Sequence, residues 1–215
     1  MLIPYSSPAA ALDDETEIKK SVFIAHIVPV SSVEEAEEAL AALRKKYRDA
    51  THNCYAYRIG RERVLERSGD DGEPAGTAGH PMLHVLQAQE LTDVLGVVTR
   101  YFGGIKLGAG GLTRAYSSSL AEALKKSAIL RYVPHNRYSL TIPYPAVGGF
   151  ENYIKDTDII VKDRSFTDKV VIDFLCLPEK AEEHRTFFTD LTGGKGVPEE
   201  IGEEYVPMEA NPASE

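Results

Sequence analysis

Two segments, 68-SGDDGEPAGTAG-79 and 103-GGIKLGAGG-111, hold nine of the chain's 17 glycines. Glycine weakens helix and strand interiors, so this clustering predicts backbone at φ > 0 or backbone that another group approaches closely. Each segment runs into a predicted helix N-terminus, where unpaired N–H groups and the positive end of the helix dipole attract an anion. The candidate anion-binding set is Gly76, Thr77 and Gly79 in the first loop and Gly108, Gly110, Gly111 and Thr113 in the second. Arg100, Lys106 and Arg114 surround them and could neutralise phosphate. Asp70, Asp71 and Glu73 add three acids, which beside a phosphate could hold Mg2+. The competing and favoured reading is a turn whose acids pair with Arg100 or Arg114 or cap backbone amides. Neither loop is a Walker A sequence, since no Gly-Lys-Ser/Thr ending follows, and no GxGxxG follows a strand. A tight-turn and close-packing role for the glycines stays open beside the anion reading.

Other chemistry-bearing pairs are weaker. His52 and Cys54 are two apart on one predicted strand face, with no third ligand or base nearby in sequence, so a packing pair is the better reading. His80 and His84 have helical i,i+4 spacing, but spacing alone does not make a metal site. Tyr55, Tyr57, Tyr101 and Phe102 could stack bases, with core packing as the default for at least half of them. No nucleophile–base couple with recognisable spacing is present, which leans against catalysis.

The elements that would position these residues are legible from periodicity. Residues 1–12 read as a loosely held leader and 17–30 as one strand closed by Pro29. Ser32 and Glu35 form a capping-box pattern ahead of a helix whose apolar face is Val33, Ala36, Leu40, Leu43 and Tyr47. Strands follow at 52–59 and at 94–102, the second of the fully buried kind, with a helix from Pro81 to about Leu91 between them. Leu112, Tyr116, Leu120 and Leu124 then recur every fourth residue, flanked by Ala115 and Ala123, in a second long helix. After Pro134 the pattern restarts: strand 137–143, helix 145–155, strands 158–166 and 169–177, helix 178–191, and a weak strand at 201–207. That is the βαββαβ, ferredoxin-like order. The expectation is an α+β protein of two domains, 1–134 and 135–215, with a polar, frayed tail from Met208.

Charge divides unevenly between those domains. Residues 1–134 carry 16 Lys+Arg against 17 Asp+Glu, while 135–215 carry 8 against 16, for a total of −9. Nucleic acid held by whole-molecule charge is therefore excluded, and a polyanion must meet a local patch in the first half. No apolar run approaches the roughly 20 residues of a membrane span, and the N-terminus lacks the pattern of a signal peptide. The two cysteines, Cys54 and Cys176, fall in different predicted domains. A reducing, cytoplasmic setting fits.

The stretches 70-DDGEPAGTAGHPML-83 and 100-RYFGGIKLGAGGLTRAY-116 resemble the two signature blocks of the IMPACT/YigZ family. The segments 17-EIKKSVFIAH-26 and 49-DATHNCYAY-57 resemble its first two strands. Val22 departs from the pattern, because bacterial members often carry a basic residue there. The resemblance implies a first domain like ribosomal protein S5 domain 2 and a second like elongation factor G domain V. It also implies translational control, exercised in eukaryotic relatives by competition for an activator of a stress kinase, and in bacterial ones RNA or ribosome binding. The expected partners are thus RNA or the ribosome, with a protein partner in translation control, and no membrane. The rival expectation is an enzyme or sensor that holds a small phosphorylated ligand or nucleotide at the same loops.

Overall fold

The computed structural model, which describes residues 2–209, divides between Tyr132 and Val133. Pro4–Tyr132, with residues 207–209, form one unit; Val133–Val206, with residues 2–3, form the other. The α+β class and the two-domain organisation are as the sequence leads one to expect.

The first unit opens with β1 (Tyr5–Pro8), β2 (Leu12–Ile18) and β3 (Ser21–Pro29), so the expected leader is ordered strand. The expected single strand at 17–30 is instead a hairpin turned at Lys19–Lys20, both at positive φ (47° and 63°). Two-residue hairpins favour such turns, usually with Asn-Gly, and the two lysines gave no such signal. α1 (Val33–Lys46) follows. Ser32 caps it by accepting the Glu35 N–H, while Glu35 reaches back to Ser31 rather than to Ser32. Then come β4 (His52–Ile59), β5 (Leu65–Gly69), which the sequence reading missed, and α2 (Gly79–Ala88), which starts and ends earlier than expected. β6 (Val94–Tyr101) and α3 (Ala109–Lys126) complete the unit.

These strands pair antiparallel in the order β2-β3-β6-β4-β5. Alternate residues of a strand face opposite ways, which explains the two layers of core. Phe23, Ala25, Ile27, Cys54, Ala56 and Val98 pack under α2 and α3, while Tyr57, Ile59, Leu95 and Val97 pack under α1. β6 is central and covered on both faces, hence its continuous apolar run. Gly96 lets α3 approach it closely: a Cβ there would lie 2.8 Å from Leu120 Cδ1.

β7 (Ile129–Ile142) carries the chain from one unit to the next without a linker. Ile129–Tyr132 pair with β1 and Asn136–Ile142 pair with the later β9. Pro134 falls between those stretches, where its missing N–H costs no bond to either. The second unit continues with α4 (Val147–Ile154), β8 (Ile160–Phe166), β9 (Val170–Cys176), α5 (Ala181–Leu191) and β10 (Glu199–Glu209). The order β10-β7-β9-β8 is that of a ferredoxin-like sheet. Phe150 of α4 and Phe188 of α5, 5.1 Å apart, seal its apolar face over Leu140, Ile172 and Phe174. Met208 and Glu209, expected in a frayed tail, end β10; the rest of that tail, 210–215, lies outside the described residues.

Candidate functional site

In the first glycine loop the chain supplies its own anion. Asp70, at the end of β5, accepts N–H groups from Gly76 (2.8 Å), Ala78 (3.0 Å) and Gly79 (2.8 Å) at the start of α2. Burial raises the Asp70 pKa, but these three donors and nearby His80 outweigh it, and the carboxyl is held below its usual range. The amides expected to hold a foreign anion at Gly76 and Gly79 are therefore occupied. The Thr77 hydroxyl donates to the Pro74 carbonyl and is buried. Gly79 is a packing glycine, since a Cβ there would sit 2.6 Å from Gly69 N.

The other two acids point elsewhere, each toward partners within the chain, as in the favoured reading of a turn whose acids pair with cations and amides. Asp71 accepts from Arg44 (3.0 Å) and from the Asn53 N–H (2.7 Å). Glu73 is buried, and its Oε1 accepts from Arg100 Nη1 (2.6 Å) and from the Tyr116 hydroxyl (2.7 Å). Among the described residues no three His, Cys, Asp or Glu side chains are grouped to hold a metal ion. Arg100 itself is 5% exposed, so it is a wall of the site and not a free surface cation. Its Nε–H is buried and meets no acceptor. Such a donor costs about 1–3 kcal/mol while unpaired.

Around this pair lies a cleft of about 450 Å3, and both glycine loops line it. Glu73 and Pro74 come from the first, Lys106 to Ala109 from the second, Thr51 and His52 from the start of β4 and the residue before it, Arg100 from β6, Phe102 from just after it, and Leu112 from α3. Gly108, at φ +73°, turns the chain into α3, whose N-terminus no side chain caps. Gly110 and Gly111 follow in its first turn, whose amides have no acceptor within the helix. His52 Nδ1 lies 2.9 Å from the Asp71 carbonyl. A carbonyl can only accept, so Nδ1 carries the proton and Nε2 is left 3.7 Å from Glu73 Oε1.

The structure thus brings Arg100, Lys106, Gly108 and Glu73 to one cleft, while Gly110 and Gly111 follow in the first turn of α3 without lining it and the remaining candidates lie elsewhere. Gly76 and Thr113 line a different groove, with His80 and His84. Arg114 is exposed on α3 and does not line the cleft. Of the four aromatics, Tyr57 is buried under α1 and Tyr101 donates to Asp49; Phe102 is 47% exposed. Cys54 is a packed thiol: burial pushes it up to about 12, and it donates to the Asp70 carbonyl. Sequence reasoning missed His52 and Tyr116 as members of this group. The available signal was Arg100 itself, a cation ending an apolar, fully buried strand, which needs a buried acid and a donor to hold that acid.

Fold and site together define a two-domain α+β protein with an uncapped, glycine-rich helix N-terminus facing a partly buried cleft. Residues 19–124 match the Impact N-terminal domain and residues 140–195 a domain of unknown function, DUF1949. The chain is 38% identical over 195 residues to the IMPACT family member YvyE of Bacillus subtilis (strain 168), covering 91% of this chain and 90% of that one. It is 34% identical over 189 residues to the IMPACT family member YigZ of Escherichia coli (strain K12), covering 87% and 93%. A crystal structure described as that of a hypothetical protein superposes with a TM-score of 0.60 at 32% identity, covering 94% of this chain and 98% of that one. The chain belongs to the IMPACT family.

Proposed function

We propose that this protein is a non-catalytic RNA- or ribosome-binding protein that tunes translation, using the cleft and its rim on the first unit. The observation that carries the reading is the pairing of an exposed aromatic, Phe102, with Lys106 beside the uncapped N-terminus of α3. Backbone amides, a cation and a stacking face are the parts from which sequence-tolerant single-strand sites are built. Lys19 and Lys20 add charge nearby: Gly103 packs so tightly on that turn that a Cβ would meet the Lys20 carbonyl at 1.9 Å. A role in translation, with a protein partner in its control, is what the family resemblance implies. No helix among the described residues is long and apolar enough to cross a membrane.

A second reading, an enzyme or sensor for a small phosphorylated ligand, is favoured by the cleft's volume and by the buried Arg100–Glu73–Tyr116 group at its wall. Salt dependence separates the two. A protein that neutralises several RNA phosphates releases counterions, so log K falls steeply with log salt. We expect the steep case, with Lys106→Ala weakening binding evenly across sequences and flattening the slope by about one unit. No RNA binding at low salt, with a nucleotide bound stoichiometrically, would replace the first reading by the second.

A further inference from the structure

We infer that the cleft recognises a terminal phosphate monoester of a nucleotide, with the phosphate at the α3 amides and the base against Phe102. The inference rests on the nucleic-acid reading above where the monoester is the end of an RNA. It concerns ends, which that reading leaves open.

The cleft has a buried wall and an exposed rim. Arg100, Glu73 and Leu112 are each 8% exposed or less, whereas Phe102 is 47% exposed and Lys106 lies open to solvent. An internal phosphodiester must let the chain leave in two directions, which the buried wall of Arg100, Glu73 and Leu112 restricts. A terminal phosphate fills such a site and sends its nucleoside out over the rim. The volume, about 450 Å3, falls in the range of roughly 300–1,000 Å3 typical of small-ligand sites.

The donors also fit a dianion better than a monoanion. A phosphate monoester carries about −1.5 to −2 charges at neutral pH and three acceptor oxygens. The cleft presents the free amides of the first turn of α3 and the Lys106 ammonium, with the Arg100 guanidinium in its wall. The one carboxylate present is already spoken for: Glu73 Oε1 is bound by Arg100 Nη1 and the Tyr116 hydroxyl, so its charge is compensated before a ligand arrives. Leu107, Leu112 and Pro74 give part of the cleft an apolar lining, and charge-assisted bonds gain strength beside such surface. Arg100 is held in that wall by Glu73 at 2.6 Å and by the Ser21 hydroxyl at 3.4 Å, so its charge is fixed in place before a ligand arrives.

The test compares one short oligoribonucleotide, 3′-labelled, with either a 5′-monophosphate or a 5′-hydroxyl end, binding the full-length protein at low salt. Adenosine monophosphate and inorganic phosphate serve as competitors. We expect the phosphorylated end to bind about tenfold more tightly, and the mononucleotide to compete better than inorganic phosphate. Lys106→Ala and Ala109→Pro should both abolish that preference. The proline removes one cleft amide at the first helical position, where it is tolerated, so an unchanged thermal midpoint shows that the fold survives. Equal binding of both ends overturns end recognition and leaves RNA binding intact. Stoichiometric mononucleotide binding without RNA binding keeps the monoester site and overturns the RNA reading. Binding of none of the probes overturns both.

Discussion

Asp70 shows how a side chain can look like part of an anion or metal site and instead be the occupant of one. Its carboxylate takes three amides across the turn into α2, a service that an external phosphate would otherwise perform. Because the native state holds its pKa low, it contributes stability above its unfolded pKa and loses it as pH falls through the folded value. Asp70→Asn should therefore lower stability by about 1–3 kcal/mol near neutrality. It should also reduce the loss of stability seen below about pH 4. Urea denaturation from pH 3 to pH 7 checks both, and an unchanged acid limb would show that Asp70 is not the group responsible. Glu73 and Arg100 teach the complementary lesson. Buried at 2.6 Å, they are weak evidence of net stability, since desolvation opposes their attraction. Their value lies in holding a charged wall in place behind the cleft.

At the level of elements, the second glycine loop is positioned by what flanks it. β6 ends at Tyr101, Gly103 is locked against the Lys19–Lys20 turn, and Gly108 starts α3. That turn is strained for lysine, because both residues occupy positive φ. Replacing them by Lys19→Asn and Lys20→Gly should stabilise the hairpin by about 1 kcal/mol, as the substituted residues adopt that geometry readily. Differential scanning calorimetry reads the gain. A fall in midpoint would mean that the lysine side chains contribute more than the turn costs. α3 shows the opposite economy of design: Leu112, Tyr116, Leu120 and Leu124 are all buried, so one face serves the core while its first turn is left open.

For the whole molecule the division between units matters most. Residues 1–134 contain both cores of the first unit and the four residues of β7 that pair with β1. We expect that fragment to unfold cooperatively on its own, as monitored by circular dichroism; a broad, non-cooperative melt would mean that it needs the remainder. The remainder carries 8 Lys+Arg against 16 Asp+Glu. Its field opposes a polyanion, so the same fragment should bind RNA more tightly than the full chain at low salt.

What the sequence determined by itself was whatever is written in local pattern. The Ser32 cap, the apolar face of α1, the four-residue repeat of α3 and the continuous apolar run of β6 each depend on neighbours within a few positions. The same holds for the βαββαβ order and for the signature blocks that identify the family. Tertiary structure alone decided who partners whom. Arg100 meets a carboxylate 27 positions away and Tyr116 meets the same one across 43. Asp70 reaches forward to cap a helix, and Phe102 is left in solvent while Tyr57 is buried. These outcomes follow from which strands lie side by side and which helix covers them. Periodicity within one element carries no record of that, so the residues of the two loops could be named from sequence but not sorted into wall, cap and rim.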